Sequence, residues 1–252
     1  MDTNYLLAGA GLLAGAMNAL AGGGSFVTLP ALMATGVPPV VANASSSVAL
    51  YPGGAASAWV YRKDIGPVAG VSLTQLAVIS LLGGAIGSVL LLATPSTLFD
   101  RVLPWLLLVA TLALAFGKRV ASRLHGDEGG QGAGPKLIQS GQFLLGIYGG
   151  YFGGAVGIMM MAFWSVTTRT GLKRLQGPRT VLVTAANTAA IAIFAVMNAV
   201  RWHDVLLLAP SAIAGGYLGA LLATRLPRRV VEAVTVTLAG AVTVAFFAKA
   251  YL

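Results

Sequence analysis

From Val71 to Leu98, and again from Val102 to Gly117, the chain carries no charged residue. Such stretches have no polar face to turn toward water. About 20 apolar residues in helical geometry cross the ~30 Å hydrocarbon core of a bilayer. The pattern holds along the whole 252-residue chain, where 57% of residues are hydrophobic and 9% charged. A soluble domain carries about 25% charged residues. The sequence therefore reads as an all-α polytopic membrane protein. Its length gives room for roughly eight spans with short loops and leaves no soluble domain of useful size.

Glycine breaks two of the apolar segments. Gly22, Gly23 and Gly24 follow a segment from about Tyr5 to Leu20, and Gly153 and Gly154 follow one from about Leu137 to Phe152. Broken backbone in lipid is tolerated only where protein or a water-filled cavity satisfies its N–H and C=O groups. Two breaks at corresponding places in two halves point to a transporter's binding site. A shorter apolar piece follows each break, Phe26 to Thr35 (with Pro30 inside it) and Ala155 to Val166. Further helices are expected over about Val40 to Tyr61, Val68 to Ala93, Leu98 to Val120, Thr180 to Val200, Val205 to Ala223 and Val230 to Tyr251. Pro52-Gly53-Gly54 predicts a kink or local unwinding.

A hydrophilic linker over 122–136 separates two transmembrane repeats, 1–121 and 137–252. Gly83-Gly84-Ala85-Ile86-Gly87 resembles Gly215-Gly216-Tyr217-Leu218-Gly219. The step from Gly23 to Gly84 is 61 residues, and that from Gly154 to Gly216 is 62. Gly83, Gly84 and Gly87 suit close helix packing.

The net charge is +9, but the basic residues lie between apolar segments. They read as topology signals and lipid-headgroup contacts, not as a nucleic-acid surface. Eight simple spans divide the Lys and Arg residues eight against eight. If each glycine break reverses the chain, the division becomes thirteen against three, with Arg101, Arg201 and Lys249 on the poor side. The positive-inside rule then favours two inverted repeats built on glycine-broken helices or hairpins, with a cytoplasmic linker and both termini outside. Arg169, Lys173, Arg174 and Arg179 form a basic loop that anchors this topology or concentrates anions.

The first-half run Ala21-Gly22-Gly23-Gly24-Ser25-Phe26-Val27-Thr28-Leu29-Pro30 leads on to Gly36-Val37-Pro38-Pro39 and Asn43-Ala44-Ser45-Ser46-Ser47. It resembles the signature of the TauE/SafE family, the sulfite exporter or TSUP membrane transporters. Gly153-Gly154-Ala155-Val156-Gly157, and the stretch from Gly216 to Pro227, are similar to its second-half counterpart. The resemblance covers nearly the whole chain. It implies transport of small sulfur-containing anions, such as sulfite, sulfoacetate and other sulfonates, across the bacterial cell inner membrane. The second half lacks a close copy of Ser45-Ser46-Ser47 and offers Thr184, Asn187 and Thr188 instead.

A small anion needs positive potential without a trapping salt bridge. Exposed N–H groups at a broken helix supply it, and glycine lets backbone approach the ligand. Gly22, Gly23, Gly24 and Ser25 fit that role in the first half, and Gly153, Gly154 and Ala155 in the second. Gly23 is the expected steric centre of the triplet. Asn43, Ser46 and Ser47 share one helical face and are expected to line the site, with Thr184 and Asn187 as the second-half pair. Asn18 and Gln142 are expected to line or brace the breaks, and Gln75 to bridge helices.

Other chemistries lack their residues. There is no Cys, and no His or Lys base accompanies a serine inside an apolar segment. No nucleotide motif occurs, and His125 and His203 lack ligand spacing. No Asp or Glu lies deep in an apolar segment. No catalytic residue, metal or cofactor is therefore expected. The N-terminus lacks a basic n-region, so the first segment is expected to be retained. The expected partners are a small anionic substrate and the bilayer, with a homodimer allowed. An anion channel and a non-transporting assembly subunit remain as alternatives.

Overall fold

The structure, a computed structural model, describes residues 3–60, 66–124, 134–168, 170, 174–223 and 228–252. Arg62, Lys63, His125, Arg169, Lys173 and Arg225 lie outside the described residues, as does most of the linker. Ten helices follow one another among the described residues: α1 Thr3–Ala21, α2 Ser25–Ala34, α3 Pro39–Val60, α4 Leu73–Ala93, α5 Ser96–Leu124, α6 Pro135–Tyr151, α7 Val156–Thr167, α8 Gln176–Val196, α9 Trp202–Ala223 and α10 Arg228–Tyr251. Among the described residues, four helical stretches, Leu73–Ala93, Ser96–Gly117, Gln176–Val196 and Ala233–Tyr251, are long and apolar enough to cross a membrane.

Two local expectations are corrected. The helix expected from Val68 starts at Leu73. Val68 and Val71 instead exchange two backbone hydrogen bonds of 3.0 Å across Ala69 and Gly70, both at positive φ. Ser72 then caps α4, its hydroxyl accepting from the Gln75 N–H. The unwinding expected at Pro52-Gly53-Gly54 does not occur, since α3 runs through it. Neighbouring helices supply the packing that holds a proline inside a membrane helix.

α2 and α7 have 10 and 12 residues. At 1.5 Å per residue they are ~15 and ~18 Å long, about half the hydrocarbon thickness. α7 folds back along α6. A Cβ on Gly141, near the start of α6, would lie 2.7 Å from a ring atom of Phe163, near the end of α7. The second glycine break is thus the tip of a helical hairpin.

The two halves interlock. α1 packs on α9 and α6 packs on α4, so the first helix of each half lies against the fourth helix of the other. Glycine makes both contacts possible. A Cβ on Gly83 would lie 2.7 Å from the Phe143 carbonyl oxygen, and one on Gly87 2.9 Å from the Ile147 carbonyl carbon. The corresponding contacts are Gly215 to the Leu12 carbonyl carbon and Gly219 to Ala16 Cα, both at 2.6 Å. Without a hydrophobic drive between helices in lipid, such backbone approach supplies the dispersion that holds them. The close-packing role expected of Gly83, Gly84 and Gly87 is what their surroundings show.

Candidate functional site

Each break is closed by one glycine in the left-handed region. α1 ends at Ala21, and Gly22 (φ 77°) donates its N–H to the Asn18 carbonyl at 3.0 Å. α6 ends at Tyr151, and Gly153 (φ 77°) donates to the Tyr148 carbonyl at 3.3 Å. Left-handed backbone is open to glycine without a Cβ clash. Ala155 (φ 56°) adopts it against its steric preference and starts α7.

The helices that follow begin with unspent donors. Phe26 and Val27 donate to the Gly23 and Gly24 carbonyls, but the N–H groups of Gly23, Gly24 and Ser25 find no acceptor among the described residues. The same holds for Gly154, Ala155, Val156 and Gly157. Gly23, Gly24, Gly154, Ala155 and Val156 are buried, whereas Gly22 is exposed and Ser25 half-buried. A helix start of this kind favours negative charge.

α3 runs between the two breaks. Its Asn43 is buried and donates its side-chain N–H to the Tyr151 carbonyl at 3.0 Å, at the second break. Ser47 Oγ donates to the Asn43 carbonyl at 3.0 Å and lies 3.8 Å from where a Cβ on Gly153 would sit. Leu50 reaches the first break, 3.1 Å from a Cβ on Gly24. The face shared by Asn43, Ser46 and Ser47 is divided between neighbours. Buried Ser46 bonds the Thr28 hydroxyl of α2, and Ser45 accepts the Arg201 N–H at 2.9 Å.

In α8, Thr184 donates to the Gly54 carbonyl at 3.3 Å. This joins it to α3. Asn187 is half-buried, and among the described residues the side chains of Asn187, Asn18 and Ser25 make no hydrogen bond.

Several contributors escaped sequence reasoning. In the sequence Arg179 belongs to the basic loop, yet in the fold it lies in the first turn of α8. Its Cδ and Nε pass 3.5 and 3.6 Å from where a Cβ on Gly157 would sit, beside the start of α7. Tyr151, apolar by position, offers its carbonyl to Asn43. The two glutamines divide. Gln142 is buried and bonds Ser80 at 2.8 Å, bracing α6 on α4, whereas Gln75 is exposed and bridges no helices among the described residues. Asp204, placed by sequence at a loop, is only 3% exposed, with Arg201 Nε at 3.5 Å and His203 Nδ1 at 3.3 Å. The loop before α9 folds onto α3 and carries it inward. An open depression of about 580 Å³ lies elsewhere, lined by Pro67, Leu73, Ala77 and Val181 among others.

Half-length helices after left-handed glycines, packed inside a polytopic bundle, define a membrane transporter of the broken-helix kind. The chain belongs to the Sulfite exporter TauE/SafE family, whose model matches residues 7–246. A "Probable membrane transporter protein" of Haemophilus influenzae is 28% identical over 223 residues, covering 87% of this chain and 85% of the relative. "Probable membrane transporter protein ORF9" of a Sinorhizobium species is 26% identical, covering 83% and 79%. "Probable membrane transporter protein YfcA" of Escherichia coli is 27% identical, covering 85% and 77%. No solved structure matches.

Proposed function

We propose that this chain is a secondary transporter that moves a small anion, a sulfur oxyanion or organosulfonate such as sulfite or sulfoacetate, across the bacterial inner membrane. The observation that carries the reading is the set of unspent N–H donors at the starts of α2 and α7, next to Gly22–Gly24 and Gly153–Ala155. Backbone donors at helix starts hold an anion without a counter-charge strong enough to trap it. Arg179 adds one positive charge beside α7. The family's name, Sulfite exporter, supports the sulfur chemistry. In this reading the halves are inverted and one part of the protein moves against the other to alternate access.

The test is equilibrium binding of sulfite, thiosulfate, sulfoacetate and a carboxylate of similar size to purified protein, followed by uptake into proteoliposomes. Saturable binding of at least one sulfur anion, with uptake that saturates in parallel, is expected. Conduction that rises linearly with concentration and gives unitary currents would make the protein a channel.

A further inference from the structure

We propose that the seam between α3 and α8 is a water-filled vestibule through which the anion reaches the broken helices. The identity of the anion rests on the transport reading above; the presence of water does not.

A helix facing lipid shows large apolar side chains. α4 exposes Val78, Leu82 and Val89, and α10 exposes Val234 and Val244. α3 and α8 differ. Among their described residues the exposed large apolar side chains are Trp59 and Val196, each in the last turn. In the C-terminal half of each helix, the other exposed positions among the described residues are Pro52, Gly53 and Ala56 on α3 and Thr188 and Ala192 on α8. These side chains are small or polar.

Polar groups also open onto this seam. Tyr51 and Thr188 hydroxyls meet at 2.7 Å in an exposed contact. Thr188 gives its own proton to the Thr184 carbonyl at 2.8 Å, so Tyr51 donates in the pair. Facing hydrocarbon, such groups are costly; facing water they are solvated. There is also room, since nothing lies within 4 Å of a Cβ built on Gly53. The Tyr51 hydroxyl, released from Thr188, is a donor suited to a small oxyanion. α3 itself links the seam to both breaks, through Leu50 to the first and Asn43 to the second. Small residues also suit a second copy of the chain, and the test includes that outcome.

The native chain has no Cys, so single-cysteine variants report directly. Gly53→Cys and Thr188→Cys are compared with Val89→Cys and Val244→Cys in proteoliposomes. The reagent is 2-sulfonatoethyl methanethiosulfonate, anionic and membrane-impermeant, present on both faces. Modification of the two seam positions about tenfold or more faster than the comparators is expected, because thiolate and reagent both need water. Thr188→Cys keeps the test intact if Gly53→Cys misfolds. Seam rates equal to those of the comparators mean a lipid-facing surface and overturn the proposal. So does protection from the reagent combined with oxidative cross-linking of Gly53→Cys chains into dimers. If the seam is modified rapidly but no sulfur anion binds, the vestibule stands and the proposed substrate class falls.

Discussion

The side-chain amide of Asn43 donates to the carbonyl of Tyr151 at 3.0 Å, across 108 positions of sequence. Tyr151 is the last residue of α6, and its carbonyl is one of those a helix C-terminus leaves without an intrahelical partner. The same residue is held on its other side. Its hydroxyl lies 3.2 Å from Thr94 Oγ1, and its ring lies 5.9 Å from that of Phe99. A first-half side chain thus satisfies the backbone at the second-half break.

Asn43→Ala is therefore expected to lower stability by about 1–3 kcal/mol, because it strands a part-buried acceptor. Asn43→Asp supplies no N–H when ionised and is expected to be at least as disruptive. The measurement is the thermal midpoint in detergent beside sulfite affinity. An unchanged midpoint with weakened affinity would instead make Asn43 a ligand of the anion.

Within the glycine triplet the constraint falls on the outer two positions. Gly22 has positive φ, and a Cβ on Gly24 would lie 2.8 Å from the Ala14 carbonyl oxygen. A Cβ on Gly23 meets only ordinary contacts, the nearest being Met17 Cε at 3.5 Å. Gly22→Ala is expected to cost about 1–2 kcal/mol through left-handed strain, and Gly24→Ala about 1–3 kcal/mol through crowding. Gly23→Ala is expected to be neutral or stabilising by up to about 1 kcal/mol. A Gly23→Ala midpoint as low as that of Gly24→Ala would contradict this ordering.

The interlocking glycines act through packing. Gly84→Val brings its Cβ within 2.8 Å of Ala186 Cα, and Gly215→Val brings its own within 2.6 Å of the Leu12 carbonyl carbon. Both force backbones apart and are expected to lower the midpoint, each by an overpacking cost of about 1–3 kcal/mol or more. Gly240, with nothing within 4 Å of its Cβ position, serves as control, and Gly240→Ala is expected to leave the midpoint unchanged. Equal effects at all three would remove close packing as the explanation.

Arg179 carries the electrostatic prediction. If its guanidinium favours an anion at the start of α7, Arg179→Gln is expected to weaken sulfite binding by about 1–3 kcal/mol. The loss is expected to shrink at high ionic strength. Isothermal binding at two salt concentrations measures both. Equal affinity for the variant and the parent at low salt would restrict Arg179 to anchoring.

Most helices were legible from apolar runs and their breakers. Segment ends fall within a few residues of those expected, except where Ala69 and Gly70 turn the chain before α4. The partners of those helices were not legible. A hydrophobic run says that a segment sits in lipid but not which helix lies beside it, so the pairing of α1 with α9 stayed hidden. The site was legible to the same degree. Three glycines announce a break, yet only backbone geometry says that Gly22 turns it and Gly24 packs in it. Gln75 and Gln142 are chemically identical in apolar surroundings, and only the fold exposes one and buries the other.

An odd number of crossings per half places the linker and the C-terminus on opposite sides, and the thirteen-to-three charge division motivates it. The α6–α7 hairpin, with its half-length α7, is the kind of reversal the division requires. Gly134 caps the start of α6 and has nothing within 4 Å of its Cβ position, and Leu252 is fully exposed. Gly134→Cys and Leu252→Cys are therefore well suited to labelling. In right-side-out vesicles, a membrane-impermeant maleimide is expected to label Leu252→Cys directly. It should label Gly134→Cys only after the membrane is opened. Labelling of both from the same side would mean an even number of crossings between them, and the inverted arrangement would have to be abandoned.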